Sequence, residues 1–486
     1  MIAYREQRSR IPTVEAVARV ENSCGLEQRM NLGELEAGVA DALCPEIDAD
    51  HPSLQALREG RWQGLELPSE IEISVPEGFA YYAVDPELYR KAAQQFQAEC
   101  RPERVAVIGI RSIGTTLASQ VCAALTCATK SWTVRPRGHP WNRELRVHAD
   151  LAARWREWQG WFAIVDEGPG LSGSSFISVA AFLESLGIGA ERIALFPSWR
   201  PDVSAFVNET ARRKWPEYRC YTCSFEDLGL FAGAQDLSGG AWRKGRDIAT
   251  QPQHERRKYL RDGTLHKFAG YGRYGRGKLE RARLLSGFIP EPVALDSGFL
   301  SQPWVNAEGE PPAIERLAAY LAHIRRTFPT GRAAQFEPLA EMIAVNTGRD
   351  ASPYRRAVAD APEVLLDARM FPHEWAGTLK TDALDHSDDH FHPGPQDIAW
   401  DLAGTIIEFG FERDAEAYLL HHYAQAAGDP CAATRLPFYK LAYLAFRIGY
   451  CDLAIQGLGG SPDAALFRRE HRRYLHLLES LCPTNR

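Results

Sequence analysis

Residues 162–176, FAIVDEGPGLSGSSF, pass from an unbroken apolar run to two adjacent carboxylates, Asp166 and Glu167, and then to a loop of glycine and serine. Phe162, Ala163, Ile164 and Val165 show no polar alternation, which predicts a strand buried on both faces inside a parallel sheet. In the loop, Gly168, Gly170 and Gly173 tolerate positive φ. Ser172, Ser174 and Ser175 add hydroxyls and N–H groups just before a helix, a combination that suits a phosphate. Phe176, Val179, Phe182, Leu183 and Leu186 mark one apolar face of that helix, and Gly187 ends it. Strand, acid pair, anion loop and helix follow in order; an ordinary strand-to-helix turn is the competing reading.

A second unit of this kind precedes the first. Arg104–Ile110 (RVAVIGI) predicts a buried strand that runs into Arg111, Ser112 and Gly114 before a helix carrying Leu117, Val121 and Leu125. Between the two lies Thr133–Arg146, TVRPRGHPWNRELR, whose four arginines make it a candidate lid over an anion, with Arg135, Arg137 and His139 foremost; a solvated hairpin is the alternative. Arg192–Pro197 reads as a further strand, so the pattern is α/β with ligands at the carboxyl ends of parallel strands.

In this order the three loops resemble those of type I phosphoribosyltransferases. The resemblance implies a parallel-sheet domain over residues 1–235. Its hood would lie in Val75–Phe96, where FAYYAV looks strand-like and a helix starts near Pro86. It also implies Mg²⁺ and phosphoribosyl pyrophosphate (PRPP) as substrate. Asp166 and Glu167 would hold the ribose hydroxyls, and Gly170, Ser172, Gly173, Ser174 and Ser175 the 5′-phosphate. Arg111, Ser112 and Gly114 would meet pyrophosphate, with Arg135 and Arg137 acting from the lid. Residues 1–78 carry no readable chemistry.

Ala232–Gln253 is rich in glycine and polar residues and predicts a linker, set at 236–253, with Ser238-Gly239-Gly240 as a candidate substrate contact. Beyond it come two short strands, RRKYL and TLHKFAG, a glycine-rich turn, and a helix from about Lys278. An Asp/His cluster (Lys380–His390) precedes Gly394–Ala403, GPQDIAWDLA. This half resembles aminoglycoside- and choline-kinase-like enzymes, which implies an α+β two-lobed kinase-like domain over 254–486 with ATP as substrate. Lys267 and Glu280 have the spacing of the ion pair that orients ATP phosphates, and Gly298–Trp304 would be the hinge. The resemblance makes Asp382 the catalytic base, Asp388 or Asp389 the metal acid, Asp385 or His386 a Mg²⁺ or phosphate partner, and Asp401 a structural acid supporting the catalytic loop. A solvated loop and the His/carboxylate site of a metal-dependent hydrolase stay open for the cluster.

The net charge of −7 gives no general attraction to nucleic acid or to an anionic membrane. No long apolar run occurs, so a cytoplasmic protein is expected, with its ten cysteines reduced. The expectation is a bifunctional transferase acting on a small-molecule acceptor, by phosphoribosyl transfer and ATP-dependent phosphorylation. The rival is a non-catalytic PRPP/ATP-sensing regulatory protein, and a homodimer is open.

Overall fold

The computed structural model describes residues 8–305, 311–388 and 391–481, and for Asp388 the backbone alone. The chain forms two compact units, residues 7–232 with Gly270–Arg273 and residues 233–269 with 274–486.

The first unit is built on a five-stranded parallel sheet in the order Ala128–Val134, Arg104–Ile110, Trp161–Val165, Ile193–Phe196 and Arg219–Cys220. Its central strands are wholly buried, from Val105 to Ile108, Phe162 to Val165 and Ile193 to Phe196, as their unbroken apolar runs require. The chain enters at Arg104–Ile110 and the sheet grows outward in both directions from there. The strand order therefore reverses between Arg104–Ile110 and Trp161–Val165, the kind of point at which open α/β sheets take ligands. The helix Ile113–Ala124 can approach that point because residue 114 is glycine: a Cβ there would stand 2.6 Å from the Val165 carbonyl oxygen.

Residues without readable chemistry form a small subdomain of this unit. An antiparallel ribbon, Arg8–Pro12 with Glu70–Ser74, and the helices Thr13–Glu21, Gly25–Leu43 and Pro52–Arg58 enclose Leu35, Val39, Leu54, Leu57 and Ile71. FAYYAV is not a strand: Gly78–Tyr82 is a wide helical turn that buries Phe79 and Tyr81 before the helix Pro86–Cys100, whose first turn is capped by Asp85. Aromatic enrichment reports burial as much as extended backbone, and a turn satisfies it equally.

The second unit pairs a five-stranded antiparallel sheet with a helical body. The sheet order is Gln235–Asp236, Lys258–Arg261, Thr264–Phe268, Phe299–Pro303 and Ala294–Asp296. The glycine-rich YGRYGRG contributes to the helix Arg273–Leu284 instead of a separate turn. The body comprises Ile314–Thr327, Phe336–Thr347, Ala399–Phe409, Arg413–Ala427, Ala432–Leu458 and Pro462–Leu481, around one core that includes Leu317, Tyr320, Trp400, Tyr443 and Tyr474. Residues 236–253 are no linker. Leu237 is buried, Trp242 Nε1 donates to Glu255 at 2.9 Å, and Arg243 pairs with Asp463, so the glycines serve tight turns within the unit. No helix among the described residues is long and apolar enough to cross a membrane.

Candidate functional site

At the switch point of the parallel sheet, Asp166 and Glu167 follow the last buried residue of Trp161–Val165. Burial is the first cause of their raised pKa values, Asp166 to about 7 and Glu167 to about 8. For Glu167 the neighbouring charges of Glu77 and Asp166 add to burial, whereas for Asp166 its hydrogen bond to the Glu167 backbone, then Arg143 and Arg135, oppose it. The anion loop follows, with Gly170 and Gly173 at φ +60° and +64°, a conformation closed to most side chains. A Cβ on Gly170 would meet nothing within 4 Å, so that part of the loop faces open space.

The arginine-rich stretch is a hairpin, Arg137–His139 with Asn142–Glu144. Its tip lies on the anion loop: the Ser172 and Ser174 hydroxyls donate to the Pro140 carbonyl at 2.9 and 2.8 Å, and Asn208 holds the Trp141 carbonyl at 2.7 Å. Two of the hydroxyls expected to meet a phosphate are thus occupied by the chain itself. Arg135 Nε lies 2.7 Å from Asp41, and Arg137 reaches the same carboxylate at 3.5 Å.

Arg111 is placed differently from the sequence expectation. Its side chain is wholly buried, donating to Asp48 at 2.5 Å, to the Thr133 hydroxyl at 3.2 Å and to the Thr133 carbonyl at 2.7 Å. It ties the sheet to the N-terminal subdomain and is directed away from solvent. Ser112 stands at the N-terminus of the helix Ile113–Ala124, and Gly114 serves close helix–strand approach. Asp41 and Asp48, which balance this basic region, escaped sequence reading because nothing local marks them.

In the second unit, Lys267 sits on Thr264–Phe268 and its ammonium bridges Asp382 and Asp385, the latter at 2.9 Å. Burial works against its charge, but the two carboxylates outweigh burial and hold it above the usual lysine range. Burial likewise opposes ionisation of Asp382, yet Lys267 and His386 keep that carboxyl well below its ordinary range. Glu280 is not brought to Lys267; it lies exposed on Arg273–Leu284, because the lysine turns toward the Asp cluster.

Asp382, Asp385 and His386 offer donor atoms all within 4.8 Å of one another. Burial lowers the His386 pKa, but Glu374 and Asp382 overcome it and raise the ring to about 9. The Asp388 side chain and all of Asp389 lie outside the described residues.

Asp401 accepts the backbone N–H groups of Asp367 and Ala368, each at 2.9 Å. The loop it supports is therefore the one leading through Arg369 to Glu374, one short hairpin (Trp375–Ala376 with Leu379–Lys380) before Asp382. Arg369 pairs with Glu374 at 2.8 Å, and the buried Lys380 joins Glu374 at 2.8 Å and Asp367 at 3.4 Å. Asp367, Arg369 and Glu374 escaped sequence reading because their spacing matches no expected motif, and Lys380 was visible only as the start of the Asp/His cluster.

Beside this network opens a cleft lined by Trp242, Lys244, Arg246, Lys258, Lys267 and Trp304, and also by Arg369, His373, Glu374 and Asp382. Of Gly298–Trp304, expected as a hinge, Phe299–Pro303 forms a strand, and Gln302 and Pro303 at its end line the cleft together with Trp304.

No protein-family profile and no curated protein matches the chain. Similar folds occur among solved kinases. A choline/ethanolamine kinase family protein from Mesorhizobium loti has 15% identity over 53% of this chain and 91% of its own, at a TM-score of 0.37. The choline kinase LicA of Streptococcus pneumoniae has 14% identity over 46% and 89%, at 0.31. An aminoglycoside 2′-phosphotransferase has 14% over 47% and 89%, at 0.29. Likeness at this level carries no conclusion about activity, which rests on the chain's own geometry.

Proposed function

We propose that this protein is a two-site transferase for small phosphorylated molecules, with PRPP-dependent phosphoribosyl transfer in the first unit and a kinase-like nucleotide site in the second. The observation that carries the reading is the acid pair Asp166–Glu167 at a topological switch point, followed by a glycine–serine anion loop on which an arginine hairpin rests. Ionised, the two carboxylates accept the ribose 2′- and 3′-hydroxyls; the loop N–H groups and Ser175 take the 5′-phosphate once the hairpin tip leaves Ser172 and Ser174. The acceptor forms its bond to the anomeric carbon as the bond to pyrophosphate breaks. The positive charge that grows on the ribose is favoured by the carboxylates, and the charge on the leaving group by Arg135, Arg137 and Arg143. Mg²⁺ would neutralise pyrophosphate charge when bound.

In the second unit Lys267 would meet nucleotide phosphates. Asp382 and Asp385 are hard oxygen donors of the kind Mg²⁺ takes, and they fit it if Lys267 shifts its bonds to phosphate. Their bond to Lys267 supports a role in holding the nucleotide better than a role as base for Asp382.

The test is calorimetric titration of the full chain with PRPP and, separately, with ATP. Asp166→Asn with Glu167→Gln is expected to abolish PRPP binding and spare ATP binding. Retained PRPP binding would refute the first assignment, and equal loss of both ligands would indicate misfolding.

A sensor without phosphoryl transfer is the second reading, favoured by Arg369. It stands on the loop that Asp401 supports, and a guanidinium takes no proton from an acceptor hydroxyl. ADP release separates the two readings.

A further inference from the structure

The cleft of the second unit presents five cations, Lys244, Arg246, Lys258, Lys267 and Arg369, against two carboxylates, Glu374 and Asp382. Both carboxylates are already committed: Glu374 to Arg369 and Lys380, Asp382 to Lys267. Lys258 is held by Glu255 at 2.9 Å. Lys244 and Arg246, both exposed, pair with no carboxylate among the described residues.

Aromatic walls could in principle recognise a cationic amine. Here those faces are taken: Lys258 and Arg246 lie over Trp242 at 5.4 and 5.9 Å, His373 stacks on the same ring at 5.8 Å, and Lys244 lies over Trp304 at 5.8 Å. An ammonium entering the cleft would meet like charge at both tryptophan faces and only carboxylates that are already paired, the rest of the lining being uncharged residues such as Leu237, Leu265 and Gln302. A phosphate would meet the reverse, with the guanidinium of Arg246 offering a fork and Lys244 a point charge.

We infer that this cleft takes an anionic phosphate ester as second ligand beside the nucleotide, recognised by Lys244 and Arg246, and not a cationic amine. The inference rests on the nucleotide reading proposed for Lys267. A sugar phosphate is the class concerned, and reactions that attach a ribose 5-phosphate group yield products carrying it.

The test titrates the full chain with ribose 5-phosphate, with choline and with ATP, then repeats each with Lys244→Ala/Arg246→Ala, whose side chains are exposed and hold no core contact. The sugar phosphate is expected to show two classes of site, one in each unit. The double variant should weaken one class about tenfold or more, since a charge-assisted contact is worth that much. Choline should not bind, and ATP affinity should change little. Unchanged sugar-phosphate binding in the variant overturns the inference, as does choline binding that the variant strengthens. Loss of ATP affinity with sugar-phosphate binding intact also overturns it, because the two cations would then serve the nucleotide. If ATP fails to bind the parent protein, the nucleotide reading falls, while the sugar-phosphate arms still decide this one.

Discussion

Asp166 and Glu167 lie half-buried just past the apolar strand Trp161–Val165, and their desolvation sets a pH dependence that ordinary carboxylates lack. Raised to about 7 and about 8, they are largely protonated at pH 6 and largely ionised by pH 9. Accepting ribose hydroxyls requires the ionised form, so PRPP affinity should rise across this interval and binding should release protons. Calorimetry in two buffers of different ionisation enthalpy reads that release directly, and an affinity flat across the interval would remove the pair from the role. A second residue-level expectation concerns Gly114. With a Cβ only 2.6 Å from the Val165 carbonyl, Gly114→Ala should push the helix off the strand and cost about 1–3 kcal/mol, the range for overpacking, measured by denaturant unfolding.

Two elements are held by small numbers of bonds that one or two substitutions can test. The tip of the arginine hairpin rests on the Ser172 and Ser174 hydroxyls, and Ser→Ala at both should free the Pro140 carbonyl at about 1 kcal/mol per bond. Hydrogen exchange at Arg137–Glu144 should then accelerate while the sheet stays protected; equal protection in variant and parent would show that Asn208 alone holds the tip. In the second unit, Asp401→Ala leaves two buried N–H groups without their acceptor. The expected loss is about 2–5 kcal/mol, with the loop from Asp367 to Glu374 loosened first, as limited proteolysis or exchange would show.

For the whole molecule, linkage predicts how the first unit's stability follows pH. Asp166 and Glu167 bind protons more tightly folded than unfolded. Their contribution is present in full below the unfolded values near 4 and is lost as pH rises through about 7 and 8. Thermal unfolding should therefore show the first unit weakening between pH 5 and 8 by a few kcal/mol, and Asp166→Asn/Glu167→Gln should flatten that decline. In the second unit, His386 is raised to about 9, so its stabilising contribution is complete below pH 6.5 and fades as pH rises through about 9. A first unit equally stable at pH 5 and 8 would contradict the burial assigned to the acid pair.

What the sequence determined by itself was local. The unbroken runs RVAVIGI and FAIV, the acid pair, the glycines with positive φ and the helices beyond them follow from period, burial and backbone freedom, which neighbouring residues settle among themselves. Lys267 and the Asp382–His386 cluster were also visible as residues. Only the tertiary structure decided their partners, because an ion pair depends on which distant segment arrives at the charge. It brought Asp41 and Asp48 to the arginines and buried Arg111. It turned Lys267 to Asp382 and Asp385 in place of Glu280, and it set Asp401 under the loop of Arg369. It also drew residues 236–253 into the second unit, where Trp242, Lys244 and Arg246 form a wall of the cleft.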